Sequence, residues 1–189
     1  HHQGVCAKVL VPAVLDEADF WDKYKESINS NTDDNTNNLF LILDQVQDVH
    51  NLGACVRSAN AAGAMAVVVP KHHSARYSAQ VAKAASGATL QTPIVEVSNL
   101  ASFIKSLKDE RFWIVGFGDS SEQDYLDLDY KGSYALVMGG EHAGARRLTM
   151  ELCDYLVSIP MQGCVSSLNV SVAAGVALYG VNAVRCLKS

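Results

Sequence analysis

Five short apolar runs recur along the chain, at 39–43, 65–69, 112–117, 134–138 and 155–159. None alternates strictly with polar residues, and Val, Ile and Leu supply much of them, which suits strands covered on both faces. The stretches between them, at 52–62, 75–85, 100–109 and 146–153, read as helices, and a longer helix closes the chain at 167–187. An amphipathic helix is also predicted over 16–28, with Leu15, Phe20, Tyr24 and Ile28 at roughly helical spacing. Residues 4–14 read as an extended lead-in, and the apolar-free SNTDDNTNN at 30–38 as a loop. Strand–helix alternation predicts an α/β domain on a mainly parallel sheet with helices on both faces. No repeat and no second domain is visible within 15–189.

Ligands on such sheets bind beyond the carboxyl ends of the strands. The segments that follow the runs are 44–58, 70–76, 118–121, 139–144 and 160–169, and three have unusual composition. In DQVQDVHNLGACVRSANAAG (44–63), Asn51 is placed to cap the helix and Arg57 lies about a turn and a half into it. Gly53, Ala54, Ala59, Ala61 and Ala62 form a small-residue surface for close packing. In MGGEHAGARRLT (138–149), two glycines, Glu141 and Gly144 form a loop whose backbone N–H groups suit a carboxylate, phosphate or ribose. That loop is neither GxGxxG nor a P-loop, and the first strand is followed by Asp44-Gln45-Val46 rather than a glycine-rich turn, which sets aside a dinucleotide-dependent oxidoreductase. In SIPMQGCVSSLNVSVAAGVALYG (158–180), Ser166 and Ser167 open a helix, and Asn169 lies past the cap among apolar residues. A buried amide there needs a partner, and a ligand is one candidate. Each segment alone also reads as an ordinary turn or capped helix.

Charge and cysteine content narrow the setting. The chain is 49% apolar and 19% charged, as in soluble globular proteins. No uninterrupted apolar run approaches the ~20 residues that span a bilayer, and no basic-then-apolar leader opens the chain, so the expectation is a cytoplasmic protein without membrane contact. Five cysteines without a CxxC pair point to reduced thiols, and adjacent His72 and His73 make a poor chelate, so no metal is expected. The net charge of −5 is awkward for a protein that holds nucleic acid.

Taken together, NLGACVRS (51–58), GGEHAG (139–144) and IPMQGCVSSLNVSVAAG (159–175) resemble, in order and spacing, the SpoU family of RNA 2′-O-ribose methyltransferases in the SPOUT superfamily. The resemblance covers residue 39 to the C-terminus, and the first motif is especially similar to bacterial enzymes acting on a guanosine ribose of 23S ribosomal RNA. It implies a deep trefoil α/β knot near the C-terminus, a homodimer, and transfer of a methyl group from S-adenosylmethionine without a metal. The same reaction on tRNA or another rRNA nucleotide, or a silent RNA-binding relative, is the alternative; DNA is not an expected partner. It also implies that 1–14 is a linker, with HQGV at its start, from an absent N-terminal RNA-recognition domain, which would account for the acidic charge.

By the same resemblance, Asn51, Arg57, Glu141, Ser167 and Asn169 are catalytic, and Gly139, Gly144, Ile159, Met161 and Leu168 hold the cofactor. Lys71, Arg76 and Arg146, in the best local basic patches, are assigned to RNA phosphates; the bland reading is a solvated face. One departure stands out: His142 occupies a position where the family pattern has Gly, which puts the shape of that loop in question. The chemistry to be met is removal of the proton from a poorly nucleophilic hydroxyl. The resemblance implies Arg57 as the base, aided by an RNA phosphate. An Arg pKa of ~12.5 or more favours a phosphate clamp instead, with Asn51, Ser167 and Asn169 orienting and Glu141 holding Asn51 or the helix start.

Overall fold

The structure, a computed structural model, describes residues 14–30, 37–119, 121–141 and 144–187. The expected lead-in and linker up to residue 13, residues 31–36 of the polar loop, and His142 lie outside them.

Seven strands form one sheet in the order β1-β4-β3-β2-β6-β5-β7. They are β1 (Leu15–Asp16), β2 (Leu39–Asp44), β3 (Ala66–Pro70), β4 (Ile94–Val97), β5 (Trp113–Phe117), β6 (Tyr134–Gly139) and β7 (Tyr155–Val157). Every pairing among them is parallel. All residues of β2 and β3 are buried, as expected of unalternating apolar strands between two layers. Five strands match the apolar runs. β1 and β4 do not: two residues carry no pattern, and Ile94–Val97 is four residues long, with Glu96 interrupting its apolar side chains.

One face of the sheet is covered by α1 (Glu17–Ser30) and α4 (Leu100–Asp109). Asn99 caps α4 by accepting the Ser102 N–H at 3.1 Å, and Leu100, Phe103, Ile104 and Leu107 face inward at helical spacing. Phe20 anchors α1 through ring contacts with Phe40 and Phe103 at 5.5 and 5.8 Å. The opposite face carries α2 (Val49–Ala61), α3 (Ala79–Ala84) and α6 (Val170–Leu187). By length and composition α6 is apolar enough to cross a membrane, but Ala174, Ala177, Leu178 and Val181 are buried inside the domain. The short α5 (Arg147–Glu151) follows β6, and Leu152 just beyond it packs into the α1–α4 side.

Three helix starts differ from the sequence reading, each because a side chain takes a cap. α3 begins at Ala79, since Ser78 accepts the Val81 N–H. Asp48, not Asn51, caps α2, accepting the N–H groups of His50 (2.7 Å) and Asn51 (2.9 Å). α6 begins only at Val170, where Asn169 accepts the Ser171 N–H at 3.0 Å.

The connection between β5 and β6 is held on two sides. Ser158, leaving β7, exchanges backbone hydrogen bonds with it: its N–H donates to Gln123 at 2.9 Å, and its carbonyl accepts from Tyr125 at 3.1 Å. From α6, Arg185 donates to the carbonyls of Tyr130 and Gly132 at 3.1 and 2.8 Å. Gly180 lets Tyr125 approach, for a Cβ there would lie 2.3 Å from its ring.

Candidate active site

The strand order changes direction between β2 and β6. The chain after β2 enters α2 on one face, and the chain after β6 leads toward α5 on the other. Loops that diverge this way leave a crevice beyond the strand ends. At the last register pair, Asp44 lies beside Gly139. Gly140 must be glycine, because a Cβ there would lie 2.3 Å from the Gln45 carbonyl oxygen. Gln45 in turn takes φ of +66°, a conformation costly for a residue with a side chain.

Asp44 fixes the base of the crevice. Its carboxylate is fully buried and accepts the Arg146 backbone N–H (2.9 Å), the Thr149 hydroxyl (2.8 Å) and the Arg146 guanidinium through Nε (2.9 Å) and Nη2 (2.8 Å). Arg146, expected on RNA, is therefore half of a structural pin between the loops after β2 and β6. Lys71 and Arg76 are exposed on the neighbouring loop, which docks through the Ala75 N–H on the Val46 carbonyl at 2.8 Å.

The three motifs meet at one point. Asn51, in the first turn of α2, donates its amide to Glu141 Oε1 at 2.8 Å. Asn169 Nδ2 donates to the same oxygen and to Asn51 Oδ1, the latter at 3.1 Å. Asn169 Oδ1 is meanwhile held by the Ser171 hydroxyl at 2.6 Å. Asn169 is exposed, so its partners are not those of a buried core amide. The capping shift explains the geometry: with Asp48 as the cap, the Asn51 amide is free to turn toward the loop after β6. Arg57 lies elsewhere on α2, exposed, with Nη1 3.3 Å from Ser86 Oγ.

Two clefts adjoin this triangle at Glu141. The first, of about 420 Å³, is lined by the loops after β5, β6 and β7. All five residues assigned to the cofactor line it, namely Gly139, Gly144, Ile159, Met161 and Leu168, and so does Ser167. The volume and the mixed apolar and polar wall suit a nucleoside-sized ligand. Phe117, Asp119 and Met150 also line it; the sequence reading marked the segment after β5 but no residue in it. The second cleft, of about 430 Å³, is lined by Gln45, Val46, Gln47, Asp48 and Asn51, and shares Gly140, Glu141 and Val170 with the first.

The comparisons agree with this geometry. Residues 38–179 match the SpoU rRNA Methylase family. The chain is 55% identical over 141 residues to the 23S rRNA (guanosine-2′-O-)-methyltransferase RlmB of Ralstonia nicotianae, covering 75% of this chain and 57% of that protein. It is 46% identical over 179 residues to the Vibrio vulnificus protein of the same name, covering 95% of this chain and 69% of the relative. The structure of the SpoU methyltransferase AviRb from Streptomyces viridochromogenes in complex with AdoMet superposes with a TM-score of 0.74 at 31% identity, covering 80% of this chain and 61% of that one. The matches thus span 57% to 69% of the length of these proteins. With three motifs converging on one crevice and a family match over three quarters of its length, the chain belongs to the SpoU rRNA methylase family.

Proposed function

We propose that the chain is the catalytic domain of an S-adenosylmethionine-dependent RNA ribose 2′-O-methyltransferase, with a guanosine of 23S ribosomal RNA as target and the cytoplasm as its setting. The observation that carries this reading is the Asn51–Glu141–Asn169 triangle, whose Glu141 belongs to the wall that the two clefts share. A methyl donor on one side and a ribose on the other would meet at that wall. Ile159, Leu168, Met138 and the backbone of Gly139, Gly140 and Gly144 would hold the donor. Bound there, S-adenosylmethionine would supply an electrophilic methyl group, with the neutral thioether S-adenosylhomocysteine as the leaving group.

The protein's own task is to orient the hydroxyl, whose proton leaves to solvent as the O–C bond forms. Glu141 is committed to two amides through Oε1, which fixes Asn51 and Asn169 as preorganised donors and acceptors beside the ribose. Arg57 holds the phosphate next to the target with its planar fork. Lys71 and Arg76 extend the phosphate track along the loop after β3. A second copy of the chain covers the α6 stripe of Val172, Val176 and Tyr179, each at least one-third exposed. Val170, at the start of the same helix, is buried and stands outside the stripe. The clasp of α6 and Ser158 around the β5–β6 connection supports the knotted threading that the family resemblance implies.

The test is calorimetry with S-adenosylmethionine and S-adenosylhomocysteine in the presence of a chelator. Stoichiometric binding of both is expected. No heat from either at millimolar concentration would remove the donor site from the first cleft.

A further inference from the structure

We infer that the second cleft seats the target base and that Asp48 selects guanine there, a step that rests on the proposed methyl transfer at the wall shared with the first cleft. The two clefts have Gly140, Glu141 and Val170 in common. A ribose at that wall with the donor in the first cleft has its base directed to the other side. The second cleft, at about 430 Å³, has room for a nucleobase.

Its lining gives the chemical preference. Guanine presents two adjacent donors, N1–H and the N2 amino group, beside the O6 acceptor. Adenine presents an acceptor at N1 beside its N6 amino donor. An amide can donate or accept by turning over, so Gln45 and Gln47 adapt to either base. An ionised carboxylate only accepts. The wall holds two carboxylates; one, Glu141, stands on the part shared with the first cleft, where the ribose sits, with its Oε1 taken by Asn51 and Asn169. Asp48 is the other. Its Oδ1 is pinned by the N–H groups of His50 and Asn51 at 2.7 and 2.9 Å, which fixes the carboxylate plane. The hydrogen bonds from Asn51 and His50 also hold its carboxyl below the usual carboxylate range, so it remains an acceptor at neutral pH. Facing it, guanine gains a charge-assisted hydrogen bond, whereas adenine brings a lone pair against a negative charge. The Gln45 and Gln47 amides donate to O6.

The experiment is NMR on the isotope-labelled chain saturated with S-adenosylhomocysteine, titrated with guanosine, inosine and adenosine 5′-monophosphates. Expected are shifts of the Gln45 and Gln47 side-chain amides and of the His50 and Asn51 backbone amides. Guanosine monophosphate is expected to bind about tenfold more tightly than the adenosine compound, with inosine between because it lacks the N2 amino group. Asp48→Asn retains a helix cap of similar strength and is expected to erase the preference. Gln47→Leu, at an exposed position, is expected to weaken both purines together. Equal affinities for guanosine and adenosine monophosphates in the wild type, or shifts confined to residues outside the cleft, overturn the assignment. The first step separates the two claims: if S-adenosylhomocysteine leaves Gly139, Ile159 and Leu168 unshifted, the proposed methyl transfer itself fails.

Discussion

Side chains that reach across long stretches of sequence define this site at the residue scale. Asn51, Glu141 and Asn169 come from three motifs, and their types and order are legible in the sequence. Their mutual bonds are not, because those depend on Asp48 taking the cap and on the crevice between β2 and β6. The Asp44–Arg146 pair was illegible for a related reason. Asp44 ends an apolar strand, and spacing alone cannot show that an arginine 102 residues later returns to it. Arg146→Ala leaves a buried carboxylate short of partners; a loss of about 1.5–3 kcal/mol in urea unfolding is expected. An unchanged midpoint would deny the pin. Arg57→Ala is expected to reduce single-turnover methyl transfer at least a hundredfold while S-adenosylhomocysteine affinity stays within about twofold. Arg57→Lys should fall between, since a compact ammonium replaces the fork. Loss of cofactor binding in Arg57→Ala would place the residue in the wrong cleft. Burial pushes the Cys55 thiol up to about 12, with Glu141 adding to the effect, and burial likewise raises Cys153 to about 12. Both thiols remain protonated well above neutral pH, whereas Cys164 and Cys186 are exposed. Among the described cysteines, a maleimide at pH 8 is expected to label Cys164 and Cys186 first, with Cys55 and Cys153 reacting only on unfolding; early labelling of Cys55 would contradict its placement.

Elements follow the hydrophobic pattern where it is long and strong. Leu100–Asp109 forms as read, because its apolar positions and Asn99 cap agree. The expected helix at 75–85 shortens because Ser78 caps it late and Ala75 is drawn to the β2 loop. β4 escaped notice because four residues are too few to establish a period. The small residues of the first motif have a clear purpose: a Cβ on Gly53 would lie 2.4 Å from Ala84 Cβ and 2.8 Å from the Val81 carbonyl oxygen. Gly53→Ala must therefore push α2 and α3 apart, at a cost of about 1–3 kcal/mol despite alanine's better helix propensity. Chemical denaturation of the two proteins measures it, and a stabilised variant would show that the helices are not so closely packed.

The molecule as a whole carries a net charge of −5 yet is assigned a polyanionic substrate. Its cations near the site are few, so this chain alone is expected to bind RNA weakly, and a basic RNA-binding domain fused before His1 is expected to raise its turnover. The exposed stripe on α6 predicts a particle of twice 20.3 kDa by light scattering, and Val176→Glu should shift it toward the monomer. The most direct test of the central claim uses that fusion, methyl-labelled S-adenosylmethionine and 23S ribosomal RNA, followed by alkaline hydrolysis. A ribose methylated at its 2′-oxygen cannot assist cleavage of the adjacent phosphodiester. The account predicts label retained in alkali-resistant dinucleotides that begin with guanosine, and its loss when Asn169 is replaced by Ala. Label released in single nucleotides would mean that a base is methylated, and no transfer at all would mean that the crevice serves another chemistry.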